Sequence, residues 1–154
     1  MLDDIYNQRI LTLAAHVPRL GRLASPMATA VAHSKLCGSK ITVDIIMDNG
    51  VVTDFAHEVK ACALGQASSA IMANNIIGST AAELRAVQIA VRRMLKESGA
   101  PPTGKWQDAV VLQPVSAFKA RHASTLLTFD AVVDAIGQIE AQEEANLRAS
   151  QAVA

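Results

Sequence analysis

The only two thiols of the chain sit in settings that bear on chemistry. Cys37 is followed by Gly38 and Ser39 between two strand-like stretches, so the backbone beside it can bend and let another group approach. Cys62 lies in Ala61-Cys62-Ala63-Leu64-Gly65-Gln66-Ala67-Ser68, where a strand gives way to a helix. A thiol at a helix N-terminus meets unpaired amide donors and the positive end of the dipole, which favour thiolate. Thiolate is the form that ligates soft metals and attacks sulfur. A hairpin between the two cysteines brings both to one end of a small sheet. His122, in Arg121-His122-Ala123-Ser124, is the third candidate, because imidazole joins thiolates around zinc or iron. The residue after it is an alanine, where a metal site would want a ligand. Plainer roles compete with these: a free cysteine is often a small core residue, and a lone histidine is often a hydrogen-bonded surface group. His16, His33 and His57 have no ligand-type neighbour in sequence and read as structural.

The elements that must position these residues follow from periodicity. Leu2 to Ala15 reads as a helix with Ile5, Ile10, Leu11 and Leu13 on one side and Asp3-Asp4 at its positive end. Pro18 and Gly21 end it, and Leu20 to Pro26 is a connector. Ala28 to Lys35 reads as a first strand. Ile41, Val43, Ile45 and Met47 alternate with Thr42 and Asp44, the signature of a half-buried strand. Asp48-Asn49-Gly50 is a hairpin turn, and Val51 to Val59 runs back with Val51, Thr53, Phe55, His57 and Val59 on one face. Ala63 to Ile76 is a helix stopped by Gly78. Ser79-Thr80 with Glu83 caps the next one, which runs to about Glu97. Trp106 to Leu112 reads as a short helix, Pro114 opens another short segment, and Ser124 to about Glu144 is the terminal helix. A three-stranded antiparallel sheet with helices packed on one face, an α+β sandwich, is the fold class this order implies.

The 154 residues suit a single domain, taken as 1–141, with 142–154 as a tail that loses apolar periodicity and frays. Fourteen basic and fourteen acidic residues balance, so net charge gives no reason to invoke nucleic acid or an anionic membrane. The longest uncharged runs hold Ser, Thr, Gly, Gln and Asn and read as buried helix rather than membrane span. Two cysteines with no export pattern point to free thiols in a reducing cytoplasm. No nucleotide loop, nucleophile elbow or His-Glu-x-x-His pattern is present. Glu58 is the carboxylate nearest in sequence to the candidate ligands, and no general base stands beside them, so the chain does not read as an enzyme.

The landmarks taken together resemble the iron–sulfur cluster assembly scaffold family, NifU-like (N-terminal) or IscU-like. They are Leu2-Asp-Asp-Ile-Tyr6 with Pro18-Arg19 and Gly21; Cys37-Gly38; Ala61-Cys62-Ala63 with Ala67-Ser68; Ile77-Gly78 leading to Glu83; and Val115 ahead of Arg121-His122. The resemblance implies an α+β sandwich in which three cysteines and an aspartate hold zinc or a nascent cluster, sometimes with a histidine beside the last cysteine. By position, Cys37 and Cys62 match the first two cysteines and His122 the auxiliary histidine. Ser39 stands where the family usually has Asp, and Ala123 where the third cysteine is expected. The metal and cluster candidates are therefore Cys37, Cys62, His122 and Ser39, the last a poor ligand unless deprotonated. The chaperone-recognition stretch Leu-Pro-Pro-Val-Lys is replaced by Gln113-Pro114-Val115-Ser116-Ala117. The implied function is scaffold-type assembly of a transient iron–sulfur cluster, or zinc binding, with a cysteine desulfurase as sulfur donor and apo-proteins as acceptors. Self-association is left open. The alternative is a cluster-free adaptor or regulator on the same fold.

Overall fold

The computed structural model describes residues 6–153. Strands β1 (Ala28–His33), β2 (Lys40–Asp48) and β3 (Val51–Lys60) form an antiparallel meander in the order β1-β2-β3. Around it lie helices α1 (Gln8–Ala15), α2 (Ala63–Asn75), α3 (Ala81–Lys96) and α4 (His122–Val153), with 3₁₀ segments at Gly104–Ala117 and Lys119–Arg121. The α+β class and the three-stranded sheet are as the sequence implied.

Register explains which side is core. Ile45 stands between Ala28 and Phe55, Val43 between Ala30 and His57, and Ile41 between Ala32 and Val59. The β2 members of these rows are fully buried. Small alanines on β1 leave room for α4, which packs on β1 and β2, while α2 packs on β3. The β2–β3 turn uses Asn49 and Gly50 at positive φ, as its sequence requires. Helix α2 is buried almost all round, between α1, α4 and the sheet, and its small residues permit that.

The sequence reading of β3 needs one correction. Ile46 pairs with Asp54 but Met47 with Val52, so Thr53 is an extra residue and the strand bulges there. One added residue swaps the faces, because side chains alternate with period two. Val52 is therefore buried and Thr53 exposed, while Phe55 and His57 keep the inner face.

Helix boundaries differ in instructive ways. Leu2 to Ile5, with Asp3 and Asp4, lie outside the described residues. Among the described ones the first helix begins only at Gln8, because the Asn7 side chain accepts the Ile10 N–H at 3.1 Å and acts as N-cap. Ile10 is its one fully buried apolar residue, and Leu11 is half exposed. The capping box at Thr80 and Glu83 forms as expected. The two short segments around Trp106 and Pro114 are one 3₁₀ run. The last helix starts at His122 and continues past Glu144 to Val153; residues 141–152 are exposed, so the expected tail is drawn out as solvated helical turns.

The one free edge of β3 is covered by chain at two places. The carbonyl of Arg19 accepts the His57 N–H, and Gly21 N–H donates to His57 O. Near the other end, Gly78 N–H donates to Val52 O and Val52 N–H to Ser79 O. On the sheet's outer face the connector is pinned by buried Asp44. Its carboxylate takes Arg22 Nε at 2.7 Å, Arg22 Nη2 at 3.1 Å, Leu23 N–H at 3.0 Å and Thr29 Oγ1 at 2.6 Å. Burial alone would push this carboxyl up, but Arg22, Thr29 and the Leu23 amide overcome it and hold it below the usual range.

Candidate functional site

Cys37 lies in the turn joining β1 to β2. That turn is closed by Gly38 N–H donating to Ser34 O and Ser34 N–H donating to Ser39 O, both at 2.8 Å. Gly38 sits at φ 72, a left-handed conformation that a side chain would strain. The turn throws Cys37 out to solvent while Ser34 and Ser39 point inward and are buried. The Cys37 Sγ lies 3.0 Å from Ser39 Oγ. Hydrogen bonding from the Ser34 hydroxyl, then from the Ser39 hydroxyl and amide, holds the Cys37 thiol below the usual cysteine range. The thiol donates to Ser39 Oγ, and on ionisation the same hydroxyl is placed to donate to the thiolate.

Cys62 follows β3 and is the N-cap of α2; its carbonyl accepts Gln66 N–H and its side chain makes no capping bond. Lys40 pairs with Lys60, so the Cys37 turn and Cys62 lie at the same end of the sheet. The partner of Cys62 Sγ is Ser124 Oγ, 3.7 Å away, on the first turn of α4. Ser124 Oγ also donates to Arg121 O. The two helix starts can meet because Gly65 has no side chain: a Cβ there would lie 2.6 Å from Ala61 Cβ and 3.3 Å from Ser124 O.

His122 begins α4 beside Cys62's partner but is turned inward and buried. Its Nε2 lies 3.0 Å from Val115 O and 3.2 Å from Ser116 O. Facing two carbonyls, Nε2 must carry a proton and donate it to them. Ala123, next in sequence, is exposed. Among the described residues no three His, Cys, Asp or Glu side chains gather closely enough to hold a metal ion. Cys37, Cys62 and the start of α4 share one end of the fold, but they stand as two separate thiol–hydroxyl pairs with His122 tied to backbone.

The other three histidines occupy different surroundings. His16 Nδ1 bonds Thr12 O, and His33 is exposed. His57 is fully buried with Nε2 2.8 Å from Pro18 O, and burial holds its imidazole below the usual histidine range despite that bond. Two contributors escaped the sequence reading. Ser34 was hidden because its role depends on the turn folding back on Cys37, although Ser34-x-x-Cys37-x-Ser39 across a hairpin is a readable pattern. Ser124 is reached by Cys62 only through the α2–α4 approach.

Comparison with known proteins bears on this arrangement. The family described as the NifU-like N terminal domain matches residues 5–125. The iron–sulfur cluster assembly scaffold protein IscU of Thermotoga maritima is 24% identical over 135 residues, spanning 88% of this chain and 94% of that protein. The crystal structure of a nitrogen-fixing NifU-like protein (N-terminal) from Brucella abortus is 63% identical, with a TM-score of 0.89 over 90% of this chain and 96% of the other. A scaffold-type protein of the SUF system from Fervidobacterium islandicum AW-1, 20% identical, shares the fold at a TM-score of 0.80 over 87% of this chain and 98% of the other.

Proposed function

This chain belongs to the NifU-like N-terminal domain family, and from that premise we propose that it serves iron–sulfur cluster assembly by accepting sulfur at Cys37. The observation that carries the reading is the exposed Cys37 sulfur held by two buried serines at the cysteine-bearing end of the sheet. The chemistry is thiol exchange. The Cys37 thiolate attacks the outer sulfur of a donor persulfide, a new S–S bond forms on Cys37, the donor's own S–S bond breaks, and the donor cysteine leaves as thiolate. The proton stays with the transferred sulfur, and no oxidant is needed. A cysteine desulfurase is the donor class that presents such a persulfide. Apo-proteins that need a cluster are the acceptors. The role is carriage of sulfur and of a cluster as cargo, not turnover, and the cytoplasm is its setting. No helix among the described residues is long and apolar enough to cross a membrane.

The test is to supply a cysteine desulfurase and cysteine, then locate the persulfide by mass spectrometry and follow cluster absorbance during anaerobic reconstitution with iron. Labelling at Cys37, lost in Cys37→Ser, is expected. Labelling confined to Cys62, or none, overturns the assignment.

One observation favours the second reading, a cluster-free adaptor. No three-ligand group is preformed among the described residues, and Ser39 and Ala123 supply no anionic ligand. Restoring both in Ser39→Asp/Ala123→Cys adds two ligands to Cys37 and Cys62, and zinc bound to the native state would stabilise it by linkage. For a scaffold the double variant gains zinc affinity and melts higher with zinc. For an adaptor whose backbone has drifted, neither changes.

A further inference from the structure

Across the end of the sheet that carries Cys37, the register aligns a histidine and two lysines. His33 pairs with Lys40 and Lys40 with Lys60, so the three form one row on the outer face. All three are exposed. Neighbouring strands lie about 4.8 Å apart, so the row spans about 10 Å. Directly opposed like charges destabilise a sheet, yet Lys40 and Lys60 stand opposite each other. Lys35 extends the charge into the turn beside Cys37, and Lys119 and Arg121 add to it beside Ser124. None of these five Lys and Arg residues joins an ion pair among the described residues. The chain as a whole has zero net charge, so this end is a local excess rather than a reflection of composition. In the same turn Leu36 is 86% exposed, between Lys35 and Cys37.

We infer that this surface docks an acidic segment of a protein partner, with Leu36 entering an apolar socket between the partner's carboxylates. The inference rests on the sulfur-acceptor reading for which partner it is, namely the sulfur donor. Charge complementarity selects the occupant. A small free oxyanion would have Glu58 beside it in the hollow of Lys40, Thr42 and Lys60 and would leave Leu36 uncovered, whereas a segment can set its carboxylates along the row clear of Glu58. A nucleic acid would meet only one short cationic row on a neutral protein, and its backbone offers Leu36 no apolar contact. A protein segment satisfies both features: carboxylates steer approach and fix orientation, and the desolvated leucine supplies the anchor. The opposed lysines then gain the counter-charge they lack.

The test uses fluorescence anisotropy with a labelled Glu-rich peptide carrying one central Leu, against single-stranded DNA and phosphatidylserine vesicles. Lys60→Glu is the key variant, because it places an acid opposite Lys40 and so keeps or raises sheet stability while reversing the row. Expected is saturable peptide binding that weakens with salt, about tenfold weaker in Lys60→Glu and weaker in Leu36→Ser, with melting temperatures no lower than the wild type's. No binding at low salt, equal binding by Lys60→Glu, or tighter binding of DNA or vesicles overturns the inference. Desulfurase-driven labelling of Cys37 separates it from the functional reading. If the wild type is labelled and Lys60→Glu is labelled equally fast, the docking surface fails and the sulfur-acceptor function stands. If the wild type is not labelled while the peptide binds as described, the function fails and the surface stands.

Discussion

At the scale of single residues, replacing an acidic ligand by serine changes what the neighbouring thiol is suited to. A carboxylate at position 39 would repel the Cys37 thiolate electrostatically unless a metal lay between them. The Cys37 thiol instead donates to Ser39 Oγ, and once the thiol ionises the Ser34 and Ser39 hydroxyls can turn to donate to the thiolate. Ser39→Ala is expected to raise the Cys37 thiol toward the ordinary cysteine range and slow its alkylation at neutral pH about threefold, the worth of roughly one hydrogen bond. Peptide-resolved iodoacetamide kinetics against pH measure this; an unmoved Cys37 profile would falsify the serine cradle. His57 offers a second residue-scale test. Its native pKa is depressed by burial, so between that value and the unfolded value of about 6.5 the unfolded chain binds more protons. Stability is therefore complete above about pH 6.5 and declines as pH falls toward the native pKa. His57→Gln can keep a donor for Pro18 O and has nothing to titrate, so denaturation midpoints measured across mildly acidic pH should lose that decline.

At the scale of elements, the site depends on two helix starts approaching through a glycine. Alanine is the better helix former, by about 1 kcal/mol, but at Gly65 its Cβ would press on Ala61 at 2.6 Å and on Ser124 O at 3.3 Å. Overpacking of that kind costs about 1–3 kcal/mol, so Gly65→Ala should be net destabilising and should disturb Cys62 against Ser124. Gly137, in the last helix, stands in open space: a Cβ added there would have nothing within 4 Å, so Gly137→Ala should instead be neutral or stabilising by up to about 1 kcal/mol. Urea titrations of the two variants, side by side, distinguish packing from propensity; equal shifts would sink the argument.

At the scale of the whole molecule, one core and one solvated extension divide the chain. The core runs from Ile10 to Ile139, where the last fully buried residue lies. Beyond it, residues 141–152 are exposed, and the Arg148–Glu144 pair they contain is a surface pair worth little. Truncation after Ala145 is expected to leave the melting temperature within about 2 °C of the full chain, as calorimetry would show. A larger drop would mean that the final turns are packed against something.

The sheet, the Asn49-Gly50 turn, the capping box at Thr80 and Glu83, and the two thiols at one end could all be read from the chain before it was folded. Each of these is a local matter: alternation, positive-φ chemistry and cap spacing act within a few residues, so they are written where they operate. The same holds for the substitutions at Ser39 and Ala123, which are visible against the family pattern. Other features came into being only with the packed fold. The bulge at Thr53 depends on how β3 meets β2, and the sequence of one strand does not contain its partner's register. His122 was a fair ligand candidate by type, yet the 3₁₀ run preceding it delivers two carbonyls to its Nε2. The row of His33, Lys40 and Lys60 is scattered over three strands and becomes a row only when antiparallel pairing lines it up. Long-range pairing, not residue type, thus set which polar groups met, because a side chain's partner is chosen by where the backbone brings its neighbours.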